Sequence, residues 1–344
     1  MNSYKLIKHR VELRNWWYWI PCCLTIPLFV VFYSKVHHDV NPDLIAYFSV
    51  AKHYQNLDFV QAFNSYWSPL ICWILAFAPN LVDSPLLAFR IVNIGIALLL
   101  FYQLFFWIRL VVYKSFSRFL LCFLSMLLIV ELSLSIGTPD FLSLYCFFLF
   151  LKVLLQYRFE WKKSLLLGFL VLICYFSKTF LLSLSIGVLI LYMLFLFFSL
   201  KKKIVIKQLL LVLLVVCTGL FIWASCLKMH YGFYTLSSSA GFNNSISSSE
   251  IVSLQAPKFE NSLFVWEDPY YINVTSLFSE SLDSIVNILQ KRFMYNIGIT
   301  LYYFKFISYL GLLLLLFPFI GFFQKKTRQW KICFLLFKIG RAHV

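Results

Sequence analysis

A succession of apolar runs, broken by short polar stretches, constrains this chain more than any other feature. The runs cover residues 16–36, 85–108, 119–136, 141–156, 164–177, 180–200, 208–227 and 302–323, and a last one opens near Ile332. A helix needs about 20 apolar residues to cross a hydrocarbon layer of ~30 Å, and most of these runs approach that length. The chain is 61% hydrophobic and only 13% charged, more apolar surface than a soluble fold of this length could hide. The expected fold class is therefore all-α: a polytopic transmembrane helical bundle of about eight complete spans plus a truncated one.

Charge placement orients the bundle. The formal net charge of +16 arises from clusters at Arg109/Lys114/Arg118, Arg158/Lys162/Lys163, Lys201/Lys202/Lys203/Lys207 and Lys325/Lys326/Arg328/Lys331. If the spans alternate, every cluster falls on the same side as the basic N-terminal residues Lys5, Lys8, Arg10 and Arg14. That is the pattern of cytoplasmic loops, and it excludes nucleic acid as the reason for the charge. The N-terminus is then cytoplasmic, and residues 37–84, 137–140, the turn at Lys178 and residues 228–298 face outward. The nine cysteines lie almost entirely inside apolar runs without a CxxC pair, so they read as small buried residues.

The first outward loop concentrates chemistry. It holds Asp39, Asp43 and Asp58 in a chain with only 14 acidic residues. From Asp43 to Asn56 the spacing is helical, with Leu44, Tyr47, Phe48, Ala51 and Tyr54 on one face, and 66–81 carries Trp67, Pro69, Trp73 and Pro79. Both stretches suit interfacial helices walling a cavity at the outer face.

These residues carry a resemblance. Asp43-x-x-x-Tyr47, then Ala51, Asp58 and Tyr66-Trp67-Ser68-Pro69-Leu70, with Ala88-Phe89-Arg90, Thr138-Pro139-Asp140 and Phe176-Ser177-Lys178 further on, resemble GT-C type polytopic glycosyltransferases such as protein O-mannosyltransferases and aminoarabinose transferases. The likeness covers roughly residues 15–200. It implies an enzyme of the cell envelope, in a bacterial cytoplasmic membrane, that moves a sugar from a polyprenyl-phosphate donor to the hydroxyl of an extracytoplasmic lipid, glycan or protein acceptor. Asp43 would be the catalytic base and Asp140 a supporting carboxylate or metal ligand. Lys178 and Arg90 would meet the lipid phosphate, and Tyr47 and Trp67 would line the substrate site. The chain departs from the family at Leu44, where many relatives have glutamate, and at Trp67-Ser68, where the aminoarabinose enzymes carry lysine and proline. No metal site is assigned and no cofactor is certain; either the basic residues or a divalent cation held by oxygen ligands could stabilise the departing phosphate.

Each candidate also has a plainer reading. Asp43 and Asp140 could cap helices, Lys178 could snorkel from a tight turn, and Arg90 could anchor at the headgroups. His37, His38 and Asp39 lack supporting ligands and suit a solvated membrane edge. A transporter or flippase of a polyprenyl-linked glycan is the alternative function. It would place polar groups near the midplane of paired halves, and no internal repeat is visible here.

The C-terminus stands apart. Ile339-Gly340-Arg341-Ala342-His343-Val344 matches a translated sequencing adapter, so residues 338–344 are expected to be foreign to the protein. Residues 1–337 then form one GT-C-like membrane domain, the N-terminal part of a longer chain.

Overall fold

A computed structural model describes residues 19–36, 42–77, 84–112, 115–135, 138–156, 160–199 and 202–239. The expected span at 302–323, the His37/His38/Asp39 cluster, most of the 228–298 loop and the tail lie outside the described residues. Ten helices are described: α1 Trp19–Val36, α2 Pro42–Gln55, α3 Phe59–Ala62, α4 Pro69–Phe77, α5 Pro85–Val111, α6 Ser115–Ser135, α7 Asp140–Leu155, α8 Trp161–Ser177, α9 Phe180–Ser199 and α10 Lys202–Tyr231. Among the described residues there is no strand.

Each expected apolar run up to residue 227 is a helix. Three stretches, Pro85–Arg109, Phe116–Leu134 and Val205–Tyr231, are long and apolar enough to cross a membrane, while Cys23–Tyr33 and Phe180–Leu194 are shorter apolar helices. The outer surface agrees with a membrane protein. Ile26, Val30, Leu99, Leu191, Leu210, Leu214, Phe221 and Ile222 are all exposed, a spread of bare apolar side chains suited to lipid rather than water. Among the described residues, three of the about eight expected spans have the length and apolarity of a membrane-crossing helix.

The helices pack as a folded row, with α1 on α6, α6 on α5, α5 on α7 and α7 on α8; α10 lies along α8, and α9 touches α7, α8 and α10. Two glycines explain why α8 and α10 make the most extensive contact. A methyl group at Gly168 would stand 2.7 Å from Val215 Cβ, and one at Gly219 would stand 2.3 Å from Leu172 Cδ1. Small residues at these crossings let the backbones approach closely, and helices in lipid associate through such packing.

Contacts between helix ends show the alternation. At one end, Asn93 near the start of α5 donates to the Ser133 carbonyl near the end of α6, and Ser143 Oγ near the start of α7 donates to the Ser177 carbonyl at the end of α8 at 3.2 Å. At the other end, Ser164 at the start of α8 donates to Gln208 at the start of α10. Arg109, Arg118, Lys162, Lys163 and Lys207 belong to this second end, and α2, α3 and α4 cap the first. Within that cap α2 packs on α4, α4 on α8 and α5, and α3 on α2 and α10.

The cap is built as its pattern predicts, with refinements. Leu44, Tyr47 and Ala51 of α2 are buried together with Ala46 and Val50, and Phe48 and Tyr54 pack partly against the core. The second interfacial element starts later than expected, because Asn64 turns the chain first, and residues 78–81 of the expected stretch lie outside the described residues. Its Oδ1 accepts the backbone N–H groups of Tyr66 and Trp67 at 2.8 and 2.9 Å, an Asx turn that delays the helix to Pro69. Asp58 does local work: its carboxylate accepts from Gln61 N–H at 3.4 Å, capping α3, and lies 3.3 Å from His53.

Candidate active site

The chain brings three of the sequence-selected residues to one place from three separate elements. Asp43 stands in the first turn of α2. Asp140 is the first residue of α7, directly after Pro139. Lys178 is the C-cap of α8, its N–H bonded to the Cys174 carbonyl at 3.0 Å while its extended backbone turns the side chain away from the helix. Ser143 holds the two junctions together, since its hydroxyl bridges the Pro139 carbonyl at 2.9 Å and that of Ser177.

The side chains then interlock. Lys178 Nζ donates to one oxygen of Asp140, and the Thr138 hydroxyl donates to the other. Asp140 therefore does not act as an N-cap: Pro139 occupies that position, and the carboxylate is committed to Lys178 and Thr138. Lys178 is only partly exposed and ion-paired, so it does not simply snorkel.

Asp43 sits within electrostatic reach of this pair. Burial has the largest influence on its carboxyl and raises it above the ordinary 3.8; Lys178 opposes that shift and Asp140 adds to it. A half-buried carboxylate held more basic than usual, beside an ammonium, is chemically a proton acceptor next to an anion-binding group.

Aromatic groups wall the site. Tyr47 and Trp67 meet edge to face with ring centroids 4.9 Å apart, and Tyr66 meets Trp67 in the same manner at 4.7 Å. Tyr47 is buried and bonds to the Ser68 side chain; burial foremost pushes its hydroxyl well above the ordinary range. Burial, then the charge of Asp43, raises the Tyr66 hydroxyl to about 12. Both phenols remain neutral donors across physiological pH.

Arg90 lies at the same end of the bundle but is buried, 3% exposed, with its guanidinium 5.2 Å from the centre of the Tyr33 ring of α1. Lys178 and Asp140 are among the charges that act on Asp43. Among the described residues no group of three His, Cys, Asp or Glu side chains converges as metal ligands would.

Some of the site's surroundings escaped sequence reasoning. A second aromatic cluster lies beside it: Trp73 meets Phe176 at 5.3 Å, and Trp223 meets Phe176 at 5.4 Å and Phe63 at 5.8 Å. Trp223 sits within a long apolar run, where nothing in the pattern distinguishes it from a lipid-facing residue. Beyond α10 the segment 232–239 crosses this end of the molecule. Ser238 Oγ accepts from Ser65 Oγ at 2.8 Å, Tyr231 OH accepts from the Ser65 N–H at 3.0 Å, and Ser239 meets Thr179 at 3.2 Å. It links the loop before α4 to the turn after Lys178. A serine-rich run after a span gave no sign of either contact.

The described residues are helical throughout their regular structure, with three helices long and apolar enough to cross a membrane and a carboxylate–lysine cluster at one end of the bundle. No protein-family model, curated protein or solved structure matches the chain.

Proposed function

We propose that this protein is a membrane glycosyltransferase of GT-C type that moves a sugar from a polyprenyl-phosphate donor to an acceptor hydroxyl. The observation that carries this reading is the grouping of Asp43 with the Asp140–Lys178 pair at the end of the bundle away from the basic loops. By the distribution of those loops, this end is the extracytoplasmic one.

In this reading the acceptor oxygen attacks the anomeric carbon while the bond from that carbon to the phosphate oxygen breaks. Asp43 accepts the hydroxyl proton, a role suited by a carboxyl that burial makes more basic. Lys178 faces the negative charge that gathers on the departing phosphate, and Asp140 with Thr138 holds Lys178 in place. Tyr66, only partly buried, offers a neutral donor to a sugar, with the buried Tyr47 and Trp67 packed behind it. Arg90, buried against Tyr33, serves the lipid phosphate only if that phosphate reaches α1, so Lys178 is the principal phosphate contact.

The test compares wild type with Asp43→Asn for sugar transfer from labelled polyprenyl-phosphate donors in membranes, with insertion and donor binding measured in parallel. Loss of transfer with donor binding retained supports Asp43 as the base. Undiminished transfer moves the base elsewhere. Donor binding by wild type without transfer to any acceptor favours carriage of the lipid-linked glycan over its chemistry.

A further inference from the structure

The opposite end of the bundle holds a groove of about 960 Å³ between the starts of α8 and α10. Glu160, Trp161 and Lys162 line it from one helix, and Lys207, Gln208, Leu210, Leu211 and Leu214 from the other. Positions 207, 210, 211 and 214 follow the i, i+3, i+4, i+7 spacing of a single helix face. The stripe along α10 therefore begins with an ammonium and continues as a leucine wall.

The two walls are fastened at the base of the groove, where the buried Ser164 hydroxyl donates to the buried Gln208 side chain. Trp161 is exposed at the mouth, with Lys162 Nζ 5.7 Å from its ring centre. An exposed tryptophan beside lysines marks the depth of the headgroups, since such rings settle at the membrane–water boundary. Below that level Leu210 and Leu214 are 61% and 62% exposed within a helix apolar enough to cross the membrane. Lys162 and Lys207 outweigh the single carboxylate of Glu160, and Lys163 adds a further positive charge close by, its Nζ 3.4 Å from the Gln156 carbonyl.

We propose that this groove is a binding site for one anionic phospholipid. Its phosphodiester headgroup lies between Lys162 and Lys207 under Trp161, and an acyl chain runs along Leu210, Leu211 and Leu214. The match lies in the sequence of chemistries along one wall, cationic at the aqueous end and apolar toward the membrane interior. Basic pockets between helices at a membrane face recognise such headgroups. Glu160 on the rim selects against headgroups carrying more negative charge than a single phosphodiester. The site lies at the far end of the bundle from Asp43, and the proposal is independent of the sugar-transfer reading.

Native mass spectrometry of the full chain, delipidated in a neutral maltoside detergent, tests it. Phosphatidylglycerol, phosphatidylcholine and inorganic phosphate serve as probes. The expected result is one phosphatidylglycerol bound at least about tenfold more tightly than phosphatidylcholine. Two lysines at a charged surface are each worth roughly fivefold, so the double variant Lys162→Gln/Lys207→Gln should weaken phosphatidylglycerol binding about twenty-five-fold. Lys52→Gln at the capped end should leave it unchanged. Leu214→Trp, which fills the groove without altering charge, should also displace the lipid and keeps the test decisive if the double variant is poorly folded. Equal binding of the two lipids overturns the proposal. So does equal loss in Lys52→Gln, or displacement of the lipid by inorganic phosphate at lipid-like concentrations.

Discussion

Asp140 and Lys178 lie 38 residues apart in the chain, yet they form an ion pair where α7 begins and α8 ends, beside the half-buried carboxyl of Asp43. The pair is partly open to solvent, with the lysine 28% and the aspartate 48% exposed at the side chain. A pair so placed contributes only about 0–1 kcal/mol to stability.

Replacement of Lys178 should therefore separate stability from activity. Lys178→Met is expected to lower stability by no more than about 1 kcal/mol and to reduce sugar transfer roughly 10²–10³-fold, the usual loss when a group facing transition-state charge is removed. Asp140→Asn should act in the same direction but less severely, because the lysine remains. Thermal unfolding in detergent together with transfer rates checks both; equal and small effects on the two readouts would leave the pair a structural tie.

Asp43 carries a prediction with a definite sign. Its carboxyl titrates above 3.8 in the folded protein, mainly because burial disfavours the charged form. A group whose folded value is raised contributes stability that is complete below its unfolded value and is lost as pH rises through the folded one. At neutral pH the ionised Asp43 is a cost to the fold. Asp43→Asn should raise the melting temperature at pH 7 while abolishing transfer, and the gain should vanish near and below pH 4, around the ordinary carboxyl value. With Asp43 as the base proposed above, transfer by wild type should fall as pH drops through the raised value, since only the carboxylate accepts a proton.

The glycines divide by what surrounds them. Gly168→Ala puts a methyl group 2.7 Å from Val215 Cβ and 3.1 Å from the Val212 carbonyl, neither of which yields easily, so it should destabilise by about 1–3 kcal/mol. Gly219→Ala presses instead on the free end of Leu172, which can rotate, and should cost less. Gly95 and Gly187 have nothing within 4 Å of an added methyl, and alanine there should stabilise by roughly 0.5–1 kcal/mol through helix propensity. Melting curves of the four variants test the ranking.

Leu57 joins α2 to α3 with φ of +59°, a left-handed conformation that a branched side chain adopts at a cost. It is 71% exposed, so its side chain gains little in compensation. Leu57→Gly should raise stability by about 1 kcal/mol without affecting transfer. A lower melting temperature would mean that Leu57 is held by an apolar contact, such as lipid, outside the protein.

Much of this architecture was legible in the sequence because membrane helices announce themselves locally. A polar backbone in hydrocarbon must bond within its own segment, so runs of Leu, Phe, Ile and Val translate directly into helices. The breaks between them assigned the basic clusters and the carboxylates to opposite ends, and the scarcity of acidic residues drew attention to Asp43 and Asp140. Spacing also revealed the packed face of α2. It could not anticipate the Asn64 turn, which delays the start of the second interfacial helix by redirecting two backbone N–H groups.

What the chain by itself determined was thus the set of helices, their alternation and a short list of polar candidates. Only the tertiary structure decided that Asp140 and Lys178 pair and that Asp43 comes within their electrostatic reach. That depends on α8 lying between α7 and α10, where Gly168 and Gly219 permit a close crossing, and on the cap of α2 to α4 folding back onto α8. It also brought Trp223 and the segment ending at Ser239 to the site, and moved Arg90 into a buried stack on Tyr33. These outcomes rest on which helices touch, and helix contacts come from complementary surfaces many residues apart that no local period encodes.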